Sequence, residues 1–208
     1  MTWTRILETL PLIAILRGVK PEEAVDIAAA LEAAGFLALE VPLNSPRPLE
    51  SIRLIRDAFG DRLLVGAGTV LTTEDVAAVA GAGGQLIVSP NTDPAVIAAS
   101  KAAGLISAPG VFTPTEAFAA LKAGADALKL FPADVAGHAA LKAMKAVLPP
   151  SARVLAVGGV DPDTLAGWRA VGAAGFGIGS SLYRPGDFPE VVGERARRFA
   201  QAWREAAR

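Results

Sequence analysis

Eight short apolar runs punctuate the chain, at Leu12–Leu16, Leu37–Val41, Leu63–Val65, Leu86–Val88, Leu105–Ser107, Ala127–Leu130, Val154–Val157 and Gly175–Ile178. Between them lie Ala-rich segments of helical length, such as Glu22–Ala34, Asp75–Ala80 and Thr115–Lys122. Strand-length and helix-length segments in regular alternation predict βαβ units and a parallel sheet. The junctions agree. Ser45-Pro46, Thr113-Pro114 and Asp161-Pro162 each place a capping side chain before a proline, whose missing N–H costs nothing at a helix start. Thr113 with Glu116 fits a capping box. Ala34-Gly35, Ala103-Gly104, Ala123-Gly124 and Val171-Gly172 supply the glycine that ends a helix in the left-handed conformation. Eight units in 208 residues, about 26 each, predict a minimal (β/α)8 TIM barrel, one domain over residues 1–208. A doubly wound open sheet is disfavoured, because no Gly-x-Gly-x-x-Gly follows the first run. The last segment, Phe188–Arg208, mixes Val191, Val192, Phe199 and Trp203 with Arg195, Arg197 and Arg198. It predicts an amphipathic helix covering the barrel, with its arginines solvated.

Composition narrows the function classes. The chain is 52% hydrophobic with a formal net charge of −1, which supports a large core and not the basic surface of a nucleic-acid binder. No apolar run approaches the length of a membrane span, and Arg5, Glu8 and Pro11 break the one near the N-terminus. Cysteine is absent, which closes thiolate chemistry and points to a cytoplasmic protein. The lone histidine, His138, cannot build an imidazole metal site, which needs two or three such ligands, and is expected at the surface or at a helix cap. No metal and no cofactor are therefore expected.

Two charged residues stand inside apolar runs. Lys129 lies in Ala127-Leu128-Lys129-Leu130-Phe131-Pro132, whereas Lys101, Lys122, Lys142 and Lys145 sit in helical segments and Lys20 at a helix start. A buried ammonium tends to lose its proton and becomes a candidate amine nucleophile for a carbonyl carbon. The hexapeptide alone favours a lysine reaching from the strand end to a carboxylate, and the rest of the chain reverses that preference. Glu40, between Leu39 and Val41, is the second; it is either half of a structural ion pair or an acid held in a site. If both point into one barrel mouth, the acid raises the lysine pKa again, and the lining must supply the opposing desolvation.

In a (β/α)8 barrel the site lies at the C-terminal strand ends. There the sequence places Arg17-Gly18, Glu40, Gly66-Ala67-Gly68-Thr69, Ser89-Pro90-Asn91, Pro109-Gly110, Lys129 with Phe131, Gly158-Gly159 and Gly179-Ser180-Ser181. The last two follow the seventh and eighth runs, where phosphate commonly binds in this fold, and small residues let backbone amides approach an anion.

These residues resemble the class I 2-keto-3-deoxy-6-phosphogluconate (KDPG) and 4-hydroxy-2-oxoglutarate (KHG) aldolases. The resemblance rests on Leu39-Glu40-Val41, Val65-Gly66-Ala67-Gly68-Thr69-Val70-Leu71, Ile87-Val88-Ser89-Pro90, Leu128-Lys129-Leu130-Phe131-Pro132-Ala133 and Gly158-Gly159-Val160. It implies a homotrimeric, metal-free barrel that cleaves a phosphorylated 2-keto-3-deoxy sugar acid to pyruvate and glyceraldehyde 3-phosphate, or the hydroxy-oxoglutarate to pyruvate and glyoxylate. It implies Lys129 as the Schiff-base lysine and Glu40 as the acid/base. It places Thr69, Pro90 and Phe131 around the pyruvyl part, and Gly158, Gly159, Gly179, Ser180 and Ser181 at the phosphate. Asn44 stands where many gluconate-type members carry arginine, which leaves Arg17 to meet the substrate carboxylate. Val157 stands where those members often carry threonine before Gly-Gly. Both departures are closer to the 2-keto-3-deoxy-6-phosphogalactonate (KDPGal) branch. Two other classes stay open at this level: a phosphosugar isomerase or epimerase using Glu40 as base, and a barrel that only binds a phosphorylated ligand.

Overall fold

The computed structural model describes residues 1–206. Its strands are β1 (Leu12–Ile15), β2 (Ala38–Pro42), β3 (Leu64–Gly68), β4 (Leu86–Val88), β5 (Ile106–Ala108), β6 (Gly110–Val111), β7 (Leu128–Leu130), β8 (Val154–Val157) and β9 (Gly175–Ile178). The helices are α1 (Trp3–Thr9), α2 (Pro21–Ala33), α3 (Pro48–Phe59), α4 (Thr73–Gly81), α5 (Pro94–Ala102), α6 (Pro114–Lys122), α7 (Ala133–Val147), α8 (Leu165–Ala170) and α9 (Pro189–Ala206). Every neighbouring pair of strands is parallel, in the order β5-β4-β3-β2-β1-β9-β8-β7-β6.

The two edges of that order are one strand. β5 and β6 are separated only by Pro109, and the Lys129 amide of β7 donates to the Pro109 carbonyl at 2.8 Å. Proline has no N–H for the ladder. The strand that begins in the fifth sequence run, Leu105–Ser107, therefore extends past that run through Pro109 into β6, its carbonyls go on pairing, and the sheet closes into the eight-unit barrel.

Side-chain parity splits the strands between two apolar environments. Leu39, Val41, Leu128 and Leu130 face outward, into the layer shared with the helices. Ile13, Ala38, Leu64, Leu86 and Leu155 face the barrel axis, and Ile6 of α1 joins them. α1 thus closes the N-terminal end of the barrel. Mouth and floor are separated, and polar chemistry is left to the C-terminal strand ends.

The glycines expected at the ends of helical segments all adopt positive φ: Gly35, Gly104, Gly124 and Gly172. Thr113 and Glu116 form the expected reciprocal cap. Asp161-Pro162 opens a 3-10 turn that runs into α8. One expected start is wrong: α3 begins at Pro48 behind Arg47, not at Ser45-Pro46. The Ser45 hydroxyl is used across the barrel mouth instead, accepting from the Gly18 amide at 2.9 Å. α9 packs against α2 and α8, with Val192 and Phe199 buried, so the terminal amphipathic helix forms as expected. Residues 207 and 208 of that expectation lie outside the described ones. Its arginines are not all solvated: Arg195 is partly buried and pairs with Asp187 at 2.5 Å. His138 is exposed, with its ring edge-on to Trp168 at 4.3 Å between centroids.

Candidate active site

Glu40 stands in the middle of β2, not at its end as expected, next to Ile15 of β1 and Gly66 of β3; Lys129 lies between Gly110 of β6 and Leu155 of β8. Because Leu39, Val41, Leu128 and Leu130 take the outer face, the pleat turns the residue between each pair inward. Both charged side chains line one small cavity with Ile13, Ile15, Val88, Ala108, Leu155, Val157 and Gly177. Its space for water-sized groups is about 10 Å³, roughly the threshold for one water molecule. Glu40 is 2% exposed and Lys129 7%.

Burial dominates the electrostatics. Desolvation disfavours the Glu40 carboxylate, while the Lys129 ammonium, the Arg17 guanidinium and the Gly68 amide favour it; burial wins, and the pKa is raised from 4.5 to about 7. The Lys129 amine is pulled below its ordinary value, first by desolvation and then by Arg17, against the attraction of Glu40. The acid is thereby poised near neutrality, and the lysine is biased toward free amine. The Lys129 ammonium also lies 4.7 Å from the centroid of the half-exposed Phe131 ring.

Gly68 makes the seat for the acid. A Cβ at this position would fall 2.0 Å from Oε2 of Glu40 and 2.4 Å from Oε1. Oε2 is buried and has no hydrogen-bond partner among the described residues. A lone buried acceptor is costly, and here it faces a cavity that could present a donor to it. Gly68→Ala must push the carboxyl out of this seat. With Glu40 as the acid/base that the resemblance implies, a displacement of about 1 Å costs on the order of 100-fold in rate, so kcat should fall by about that factor in steady-state assays.

The remaining expected residues distribute around the mouth. Thr69 follows β3 with φ +58, uncommon for a β-branched residue and typical of backbone held under strain at a site. Pro90 follows β4 and is half-buried. Arg17 is exposed after β1 and donates to the Asn44 side-chain oxygen at 2.7 Å. The position that departs from the gluconate-type pattern thus orients a guanidinium in place of supplying one. Gly158 and Gly159 follow β8 with φ +107 and +63, and the second packs on Asp134, whose Cβ would lie 2.6 Å from an added one. Gly179, Ser180 and Ser181 follow β9; Ser180 is exposed, and the Ser181 hydroxyl donates to the Val160 carbonyl at 2.8 Å. Two residues were not singled out by sequence reasoning: Gly68, visible there only as one of several glycines in a run, and Asn44, noticed only as a departure.

Residues 4–188 match the family model described as "Aldolase: KDPG and KHG aldolase". The chain belongs to the KDPG and KHG aldolase family. Aldolases of this kind are carbon–carbon lyases, so the chain is an enzyme of that class. Within the family, it is 52% identical to the 2-dehydro-3-deoxy-6-phosphogalactonate aldolase of Escherichia coli K12, over 95% of this chain and 96% of that protein. It is 32% identical to the KHG/KDPG aldolase of the same strain, over 89% of this chain and 86% of that protein. A solved structure described as "Native KDPGal structure" superposes with a TM-score of 0.94 at 52% identity, covering 95% of this chain and 96% of the other. The family fold thus agrees with the barrel described above, and its members differ in the substrate that their names print.

Proposed function

We propose that this aldolase cleaves its 2-keto-3-deoxy sugar acid 6-phosphate through a Schiff base on Lys129, and that its preferred substrate is the galactonate form. The observation that carries the reading is the shared burial of one amine and one acid in a single cavity, with the amine driven toward its neutral form. Neutral Lys129 attacks the C2 keto carbon, and loss of water leaves an iminium. Glu40, directly or through one water, takes the proton of the C4 hydroxyl. The C3–C4 bond breaks, its electron pair moves to C3 and the iminium becomes an enamine, and glyceraldehyde 3-phosphate departs. Protonation at C3 and hydrolysis of the resulting iminium release pyruvate and restore the amine. Arg17, held by Asn44, meets the C1 carboxylate. Thr69, Pro90 and Phe131 surround the pyruvyl carbons, and Gly158, Gly159, Gly179, Ser180 and Ser181 receive the phosphate.

The galactonate assignment is supported by the higher identity to the 6-phosphogalactonate enzyme and by Val157, a cavity-lining side chain with no hydroxyl to read the substrate. Cleavage rates on the two phosphorylated C4 epimers test it. The galactonate form should lead in kcat/KM by at least about tenfold, the scale on which contacts to one hydroxyl discriminate. Equal rates, or a lead for the gluconate form, would overturn the assignment without touching the Schiff-base scheme. An isomerase or epimerase on the same barrel would leave no adduct on Lys129 after borohydride reduction.

The working enzyme, in this reading, is a cytoplasmic homotrimer. Exposed Leu71, Phe112 and Phe118 support an association surface, and sedimentation should give three times the 21.3 kDa chain mass.

A further inference from the structure

We infer that Tyr183 is a positioning residue that fixes the span between the carboxylate end and the phosphate end of the substrate site, acting through Glu23. The inference rests on the aldolase reading above. Tyr183 lies in the segment after β9, four residues beyond Gly179, and is 2% exposed. The Gly179 carbonyl accepts from the Leu182 and Tyr183 amides at 2.8 and 3.0 Å, which closes a helix-like turn. The amides of Ser180 and Ser181 stand at the start of that turn, where they take no part in it. The Arg184 side chain donates to the Ser180 carbonyl at 3.1 Å, and the Ser181 hydroxyl fastens the turn to the Val160 carbonyl after β8. The phosphate end is therefore one small rigid piece.

One hydrogen bond ties this piece to the start of α2. The Tyr183 hydroxyl donates to Oε1 of Glu23 at 2.9 Å, and the same oxygen accepts from the Lys20 amide at 3.0 Å, three residues beyond Arg17. Burial and Glu23 push the Tyr183 phenol well above its ordinary value, so the donor keeps its proton throughout the working pH range. Beside it, a Cβ at Gly18 would lie 2.7 Å from Cγ of Pro185. This contact leaves no slack between the segment after β1 and the one after β9. Through Gly18 and Asn44 the first of these segments is itself tied to the loop after β2. The Glu23 oxygen thus joins the end that carries Arg17 to the end that carries Ser180 and Ser181. A substrate whose two anions must reach both ends at once needs that distance held. Pyruvate alone, which has no phosphate, does not.

Tyr183→Phe removes the hydroxyl and keeps the ring. The KM for 2-keto-3-deoxy-6-phosphogalactonate should rise about 5- to 20-fold, less than the roughly 13- to 160-fold of a lost hydrogen bond to a charged group, because this one acts on the substrate only through position. The kcat should stay within about twofold, and the yield of borohydride-trapped pyruvate adduct at a given pyruvate concentration should not change. Glu23→Ala should raise KM to the same extent. Glu23→Gln should restore it, because the amide oxygen still accepts from both donors. The double variant Tyr183→Phe with Glu23→Ala should be no worse than either alone. An unchanged KM in soluble Tyr183→Phe or Glu23→Ala overturns the inference, as does a pyruvate adduct that declines in parallel. If Tyr183→Phe does not fold, the Glu23→Ala and Glu23→Gln pair decides by the same readings. Failure of the aldolase reading itself looks different: the unaltered protein would then trap no pyruvate at all.

Discussion

Lys129→Ala should abolish retro-aldol turnover, with kcat down by at least about 10⁴-fold and no covalent mass gained with pyruvate and borohydride. A group that forms the covalent intermediate cannot be bypassed by better binding, so its loss is among the largest single effects available in a site. The fold should survive. Lys129 lies in a cavity lined mostly by apolar side chains, where desolvation disfavours its ammonium, and an alanine there removes that penalty together with the aliphatic stem. Intact circular dichroism and an unchanged elution volume would separate lost chemistry from lost structure. Normal turnover in this variant, or a pyruvate adduct on another lysine, would end the Schiff-base scheme. Lys129→Arg is a useful companion. It keeps a positive charge near Glu40 but offers no free amine at any accessible pH. It should be as inactive as alanine, whereas a purely electrostatic role for Lys129 would leave it active.

Glu40→Gln should lower kcat by about 10²- to 10⁴-fold, the range typical of losing a general acid–base, while making the protein more stable at alkaline pH. The sign follows from linkage. The folded-state pKa of Glu40, about 7, lies above the 4.5 of the free side chain, so the folded protein holds this proton more tightly than the unfolded chain. Below about pH 4.5 the carboxyl is neutral in both states and burial costs no charge. Between 4.5 and 7 the cost grows, and above 7 it is fully present, at up to about 3 kcal/mol. Glutamine never carries that charge. The variant should therefore melt above the unaltered protein at pH 8, and the difference should shrink toward pH 5 in thermal melts across that range. A variant less stable at pH 8 would mean that Glu40 is worth more as the partner of Lys129 and Arg17 than its burial costs. The kcat/KM of the unaltered enzyme should rise with pH through about 7 as the acid ionises, and this limb should vanish in Glu40→Gln.

Several of these residues were legible from the chain alone because their signals are local. A charge between two apolar neighbours, as at Glu40 and Lys129, marks itself without reference to the fold. A capping threonine three residues before a glutamate, as at Thr113, or a glycine after an alanine-rich helix, as at Gly35, carries its conformation in its own chemistry. Ser45 shows the limit. The same serine–proline pair that caps a helix can equally serve a neighbouring loop, and only the proximity of Gly18 decides between them. Gly68 shows it again: its function is an absence of side chain in front of Glu40, and nothing adjacent in sequence announces it.

The chain alone sufficed to specify the number of strand–helix units, most of their junctions, and the two charged residues that did not belong in apolar strands. It could do so because strand length, helix capping and side-chain type act over a few residues. Folding alone settled which way those two residues point, that one glycine seats the acid beside a cavity of about one water, and that Asn44 orients Arg17. It also decided the balance that raises Glu40 to about 7 while lowering Lys129. That balance sums the desolvation and charge contributed by different strands and loops, and no local stretch of chain contains the sum.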